Sequence, residues 1–145
     1  MSEQHLFVGT INKYYRGCST ANIELMKETF TDDVVHYFTH HAPIRGAQNL
    51  AEYWANMQPR IQAVWTCDHA LVDGRQCVIE WTMSWLAPSN AKELIRGAEW
   101  YIFRGDRISE IRAYYINRHL PYDRANFELD GFPYENRGYT TLERP

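Results

Sequence analysis

In the stretch RGAEWYIF, Arg96 to Phe103, one carboxylate interrupts a run that otherwise favours a buried or half-buried strand. Glu99 is either one half of a surface ion pair or an acid held in a pocket. In a pocket, burial moves its pKa toward neutrality and suits it to proton transfer. Histidine is the other side chain that carries protons near pH 7, and the chain has six. His36 alternates in phase with Val34 and Phe38, so the three share one face of a strand. His69 lies in a second strand-like run, on a face set by the length of the turn that follows it. His40 and His41 fall where the first strand exits, and His5 and His119 look peripheral. No carboxylate or cysteine pair stands at ligand spacing from these histidines, so no metal site is expected.

Periodicity supplies the elements that would position these groups. Phe7, Ile11, Tyr14 and Cys18 fall on one face of a helix over 3–16, which Gly17 is expected to end. Ser19 or Thr20 is expected to cap a second helix whose stripe is Ile23, Met26 and Phe30. TDDVVHYFTHH reads as a strand and APIRG as a loop. A third helix over 47–58 would bury Leu50, Tyr53, Trp54 and Met57. Four long strands follow: IQAVWTCDHALV, QCVIEWTMSWLA, KELIRGAEWYIF and RISEIRAYYIN. DGR and RGD form tight turns between them, and APSNAK a longer connection. Helices followed by a strand meander give an α+β layout, with helices on one face of a sheet. Residues 1–117 read as one domain. Residues 118–145, aromatic and without periodicity, read as an ordered tail packed on it, with Phe127, Phe132 and Tyr134 closing the cavity mouth or lying against the helices.

Alternation assigns most faces. Ile79, Trp81, Met83 and Trp85 form one apolar face, and Ile111, Ala113 and Tyr115 another, both directed at the helices. Glu110, Arg112 and Tyr114 point away. In RGAEWYIF both faces are mixed, and turn register decides. If Phe103 pairs with Arg107, Glu99 lies opposite Ile111 on the pocket face. One residue of slip places it opposite Arg112 as an outer ion pair worth about 0.2–1 kcal/mol.

Composition narrows the function classes. The chain has 145 residues, is 45% hydrophobic and 14% aromatic, and carries a net charge of −3 without a dense Lys/Arg cluster. That fits a folded domain with a substantial core and argues against nucleic acid as a partner. No apolar run reaches the ~20 residues of a membrane span, and no signal peptide is recognisable. Three cysteines without a CxxC motif fit reduced thiols in a cytoplasmic protein.

The phrases FTDDVV at Phe30, PIRGAQ at Pro43 and FRGDRISEIRAYY at Phe103 resemble the NTF2-like superfamily, in particular its SnoaL-like and ketosteroid-isomerase-like branch. The resemblance spans about residues 5–117. It implies a cone-shaped fold, a strongly curved, mainly antiparallel sheet over three N-terminal helices enclosing one deep apolar pocket. It also implies catalysis without a cofactor, and a homodimer through the outer sheet face. The position matching Glu99 is a pocket carboxylic acid in the isomerases, and Tyr14 falls where they carry an oxyanion-hole tyrosine. Two expected site residues therefore converge. Two departures follow as well. The isomerase base, a first-strand carboxylate, falls at Phe38, and the Asp–Arg–Asp set of limonene-epoxide hydrolases falls at Met83, Trp81 and Ala113. Histidine remains as a base: His36 beside the lost carboxylate, or His69, since scytalone-dehydratase-like members use a histidine on a neighbouring strand.

The resulting expectation is an acid/base enzyme that isomerises, dehydrates or cyclises a hydrophobic carbonyl compound, with Glu99, His36, Tyr14 and His69 as catalytic candidates. If Glu99 is ionised, it is itself the base. Trp54, Trp81, Met83, Tyr101, Phe38 and Tyr115 are the expected substrate-binding residues. The alternatives are a binding or scaffold protein without chemistry and, third, an epoxide-type hydrolase.

Overall fold

The computed structural model describes residues 5–120 and 128–144. Helices α1 (Leu6–Ser19) and α2 (Ile23–Lys27) lead into strand β1 (Phe30–Tyr37), the two-residue β2 (Ile44–Arg45) and helix α3 (Ala47–Ile61). Strands β3 (Val64–Asp73), β4 (Gln76–Leu86), β5 (Lys92–Arg104) and β6 (Arg107–Tyr115) complete the sheet. Its order is β2-β1-β6-β5-β4-β3. β1 runs parallel to β6, and every other neighbouring pair is antiparallel. The sheet wraps the helices: α1 touches both β3 and β6, and α3 touches both β1 and β4. The core lies in that concavity, where Ile79, Trp81, Met83 and Trp85 meet Ile11, Leu50, Ala51 and Trp54.

Local chemistry moves several helix boundaries. α1 does not stop at Gly17 but continues to Ser19. A Cβ at Gly17 would lie 2.5 Å from Met26 Cγ, so this glycine lets α2 approach α1 closely. The cap of α2 is Asn22, whose side chain accepts from the Leu25 N–H at 3.0 Å, rather than Ser19 or Thr20. Phe30 belongs to β1, and part of the expected loop APIRG is β2, with Arg45 opposite Val35.

The register of β5 against β6 differs from both expected alternatives. Arg104 pairs with Arg107, leaving Gly105 and Asp106 as the turn, with Gly105 at φ 64°. Propagated without interruption, that turn would set Glu99 opposite Arg112. A bulge intervenes: Phe103 pairs with Ile108 but Ile102 with Glu110, so Ser109 is the extra residue. Its hydroxyl donates to the Ile102 carbonyl at 3.0 Å. Beyond the bulge Glu99 faces Ala113, Tyr101 faces Ile111 and Trp100 faces Arg112. The bulge lies on β6 and shifts that strand's phase, so Ile111 and Ala113 join Ile108 on the concave side, while β5 alternates unbroken through Phe103, Tyr101 and Glu99, all buried.

The tail also corrects an expectation. Leu129 and Phe132 are buried against Tyr37 on the outer face of β1, together with Val35, Tyr114, Tyr134 and Tyr139. They neither close the cavity mouth nor pack on the helices; Phe127 lies outside the described residues. The Asp130 N–H donates to the Phe38 carbonyl at 2.8 Å. Arg137 donates to both Glu110 oxygens, at 3.0 and 3.1 Å. The Arg112 guanidinium sits between Trp100 and Phe132, 5.3 and 5.5 Å from their ring centres.

Candidate active site

Inward alternation of β4, β5 and β6 opposite α1 and α3 encloses a cavity of about 660 Å³. Its walls are mostly apolar, which makes any polar group in them consequential. Phe38, Trp54, Trp81, Met83 and Tyr115 all line it, as the sequence predicts. Gly97 makes room in the wall: a Cβ there would lie 2.7 Å from the Trp81 ring and 2.8 Å from the Tyr114 carbonyl oxygen.

Glu99 borders the same cavity and is only 5% exposed. Its Oε1 accepts from the Tyr15 hydroxyl at 2.6 Å and from the Tyr101 hydroxyl at 2.8 Å. Its Oε2 lies 3.7 Å from His36 Nε2, beyond hydrogen-bond distance. Burial raises the Glu99 pKa to about 7, against the opposing pull of the two phenols. Burial raises both phenols well above their ordinary range, so they remain protonated donors. One carboxylate oxygen is thus fixed by two donors, and the other faces His36.

His36 is brought to the site but in a different character from the expected base. It is 1% exposed, stacks on Phe38 at 3.9 Å, and neither ring nitrogen has a well-formed hydrogen bond among the described residues. Burial, reinforced by the field of His41, lowers its pKa to about 3. The imidazole is therefore neutral at pH 7, although it stands close enough to Glu99 to form an ion pair if protonated. Burial decides against the pair, because desolvating the imidazolium costs more than the attraction returns at this distance. Phe38, where the isomerases carry their base, lies between His36 and His41, with the His41 ring 3.8 Å away.

The remaining candidates separate. Tyr14 lines the cavity edge-on to Phe30, but the helix hydroxyl that bonds Glu99 is that of its neighbour, Tyr15. Tyr15 was legible as Ile11 plus one helical turn, on the same broad buried face. Tyr101 is a partner of Glu99 and not part of the cavity lining. His69 is outside altogether. The turn is Gly74–Arg75, not the expected DGR, with Asp73 opposite Gln76, which puts His69 opposite Glu80, 3.0 Å from its carboxylate and with its side chain 81% exposed. At the rim, the Tyr53 hydroxyl is 3.2 Å from His41 Nε2 and the Tyr115 hydroxyl 3.3 Å from His40 Nε2. Burial, then His41, lowers the His40 pKa to about 4. Among the described residues no group of three His, Cys, Asp or Glu side chains could hold a metal ion.

The model of the SnoaL-like domain matches residues 11–111, the span that supplies Tyr15, His36, Glu99 and Tyr101. The chain belongs to the SnoaL-like domain family. This SnoaL-like protein is similar in structure to a protein of unknown function with a cystatin-like fold from Methylobium petroleophilum PM1, at a TM-score of 0.80 and 31% identity over 97% of this chain and 95% of that one. It shares its fold with an LEH-like epoxide hydrolase of M. tuberculosis, with a TM-score of 0.68 and 16% identity over 77% of this chain and 83% of the other. The same holds for a proposed polyketide cyclase from Sinorhizobium meliloti, with a TM-score of 0.61 and 18% identity over 72% and 93% of the two chains. No curated protein matches in sequence.

Proposed function

We propose that this SnoaL-like protein is a cofactor-independent acid/base enzyme acting on a hydrophobic carbonyl compound, with Glu99 as the proton carrier. The observation that carries this reading is Glu99 itself, buried in an apolar cavity, pinned through Oε1 by two phenols, with a pKa of about 7. A base poised there is half ionised at neutral pH and strong enough to remove a proton next to a carbonyl. Oε2 takes the proton, and the electron pair moves to the carbonyl oxygen as an enolate. Tyr14 and Tyr115, which border the cavity and are not bonded to Glu99, are the phenols assigned to that oxygen. Returning the proton to another carbon isomerises a double bond, and delivering it to a departing hydroxyl releases water. If the enolate carbon attacks a second carbonyl instead, a ring closes. Neutral His36 flanks Oε2 at 3.7 Å.

The epoxide-hydrolase reading has less support. Met83, Trp81 and Ala113, at the positions of the hydrolase Asp–Arg–Asp set, line the cavity and do not ionise. The proposal includes a cytoplasmic location, resting on three free cysteines. It also includes a homodimer through the part of the outer face the tail leaves open, where the row Leu71–Val78–Trp100 crosses three strands and Leu71 is 78% exposed. No helix among the described residues is long and apolar enough to cross a membrane.

The test uses nitrobenzisoxazole, a flat apolar probe whose ring C–H is removed by a base as its N–O bond opens to a coloured phenolate. The wild type should catalyse this elimination with a midpoint near pH 7, and Glu99→Gln should lower the rate by about 10²-fold or more. A rate independent of Glu99 would leave a binding protein as the better reading.

A further inference from the structure

Two segments outside the sheet border the mouth of the cavity. The β4–β5 connection contributes Pro88, and the stretch after β6 contributes Asn117, His119 and Leu120. A single side chain ties both. Glu93, near the start of β5, accepts from the Ser89 hydroxyl at 3.1 Å and from Arg118 Nη2 at 2.7 Å through Oε2. Its Oε1 is 2.9 Å from His119 Nε2. The pairing partner of Glu93 is Trp85, a cavity residue, and the Trp85 ring meets His119 edge-on at 5.7 Å. The fastening therefore sits on the cavity wall itself.

Glu93 and Glu99 share one face of β5, six residues apart. At ~3.3 Å per residue they stand roughly 20 Å from one another. The acid is at one end of the cavity and the fastening at the other. Single exposed ion pairs do little, but here one carboxylate, with 20% of its side chain exposed, gathers three donors from two separate segments. Each segment is closed on itself by short backbone hydrogen bonds, Ala87 to Ala91 and Asn90 to Ala87 in the first and Leu120 to Asn117 in the second, and Glu93 is the side chain that joins the two to one another.

We propose that Glu93 is the latch of the cavity mouth and sets how fast molecules enter and leave. The proposal rests on the cavity alone and stands apart from the chemistry assigned to Glu99. It is read without turnover, using acrylamide, a small neutral quencher. Four of the five tryptophans line the cavity; the fifth, Trp100, lies on the outer face and is replaced by Phe in the background used. In the full-length chain, Glu93→Gln should raise acrylamide quenching of the other four by about threefold or more. Amide exchange over 87–91 and over 116–120 should accelerate together, with β4 and β6 unchanged. Arg118→Ala, at a side chain 71% exposed, keeps the test decisive if Glu93→Gln does not fold, and should give a smaller rise in both readouts. Unchanged quenching, or faster exchange in only one of the two segments, overturns the latch.

Discussion

Replacing Glu99 with Gln should make the protein more stable at alkaline pH while abolishing its proton chemistry. The carboxyl rises from 4.5 to about 7 because it is buried. Its ionisation therefore costs about 3 kcal/mol more in the fold than in the unfolded chain. For an acid raised in this way the native state holds the proton longer, so stability is complete below pH 4.5 and falls as pH climbs toward 7. Gln reproduces the neutral acid. Its amide oxygen can accept from Tyr15 and Tyr101, and its NH₂ group can face His36 Nε2. His36 has the opposite dependence: lowered to about 3, it costs stability as pH falls from 6.5. It is common to both proteins and cancels in the difference. Paired thermal melts at pH 4 and pH 8 should show near-equal midpoints in acid. At pH 8 the variant should lead by roughly 6–12 °C, the equivalent of about 3 kcal/mol in a chain of this size. A difference that does not change with pH would mean that Glu99 titrates as an ordinary carboxyl, and would remove the physical basis of the proposed base.

Four further outcomes follow from the same geometry. Tyr15→Phe and Tyr101→Phe each delete one donor to Oε1, so the pH midpoint of the elimination should move further upward, most in the double variant; an unmoved midpoint would show that neither bond tunes the acid. His69→Ala should change stability by less than about 0.5 kcal/mol and leave the rate intact, since that ring is exposed; a loss of activity would contradict its placement on the outer face. Gly97→Ala should cost about 1–3 kcal/mol in denaturant titration, because the backbone oxygen of Tyr114 cannot yield to a Cβ 2.8 Å away; a neutral result would mean the strands part easily there. Light scattering should give twice the monomer mass, and Trp100→Glu should return it to one chain; a monomeric wild type would end the dimer proposal.

Alternation and helical periodicity suffice to sort this chain into inner and outer sets. From them come the α+β class, the four long strands, the inward faces of β4 and β6, and five of the six expected cavity residues. These patterns are local, and burying apolar surface enforces them wherever the chain goes. The state of Glu99 is not local. Glu99 shares its face with Tyr101 and Phe103 by alternation, but its partner is set elsewhere: the Gly105–Asp106 turn alone would have put Arg112 opposite it, and the extra residue at Ser109 puts Ala113 there instead. Ser109 offers no signal for this, because a bulge is settled by how both strands twist against their neighbours. The choice between Tyr14 and Tyr15 is of the same kind. Adjacent helix residues point about 100° apart, both are buried, and the angle at which α1 crosses the sheet decides which hydroxyl reaches the carboxylate. His36 reads as a base in sequence because its ordinary pKa is near neutral. It is neutral in the fold because burial strips solvent from its charge and the nearest carboxylate oxygen stays 3.7 Å away, whereas the same burial holds Glu99, beside the cavity, near neutrality.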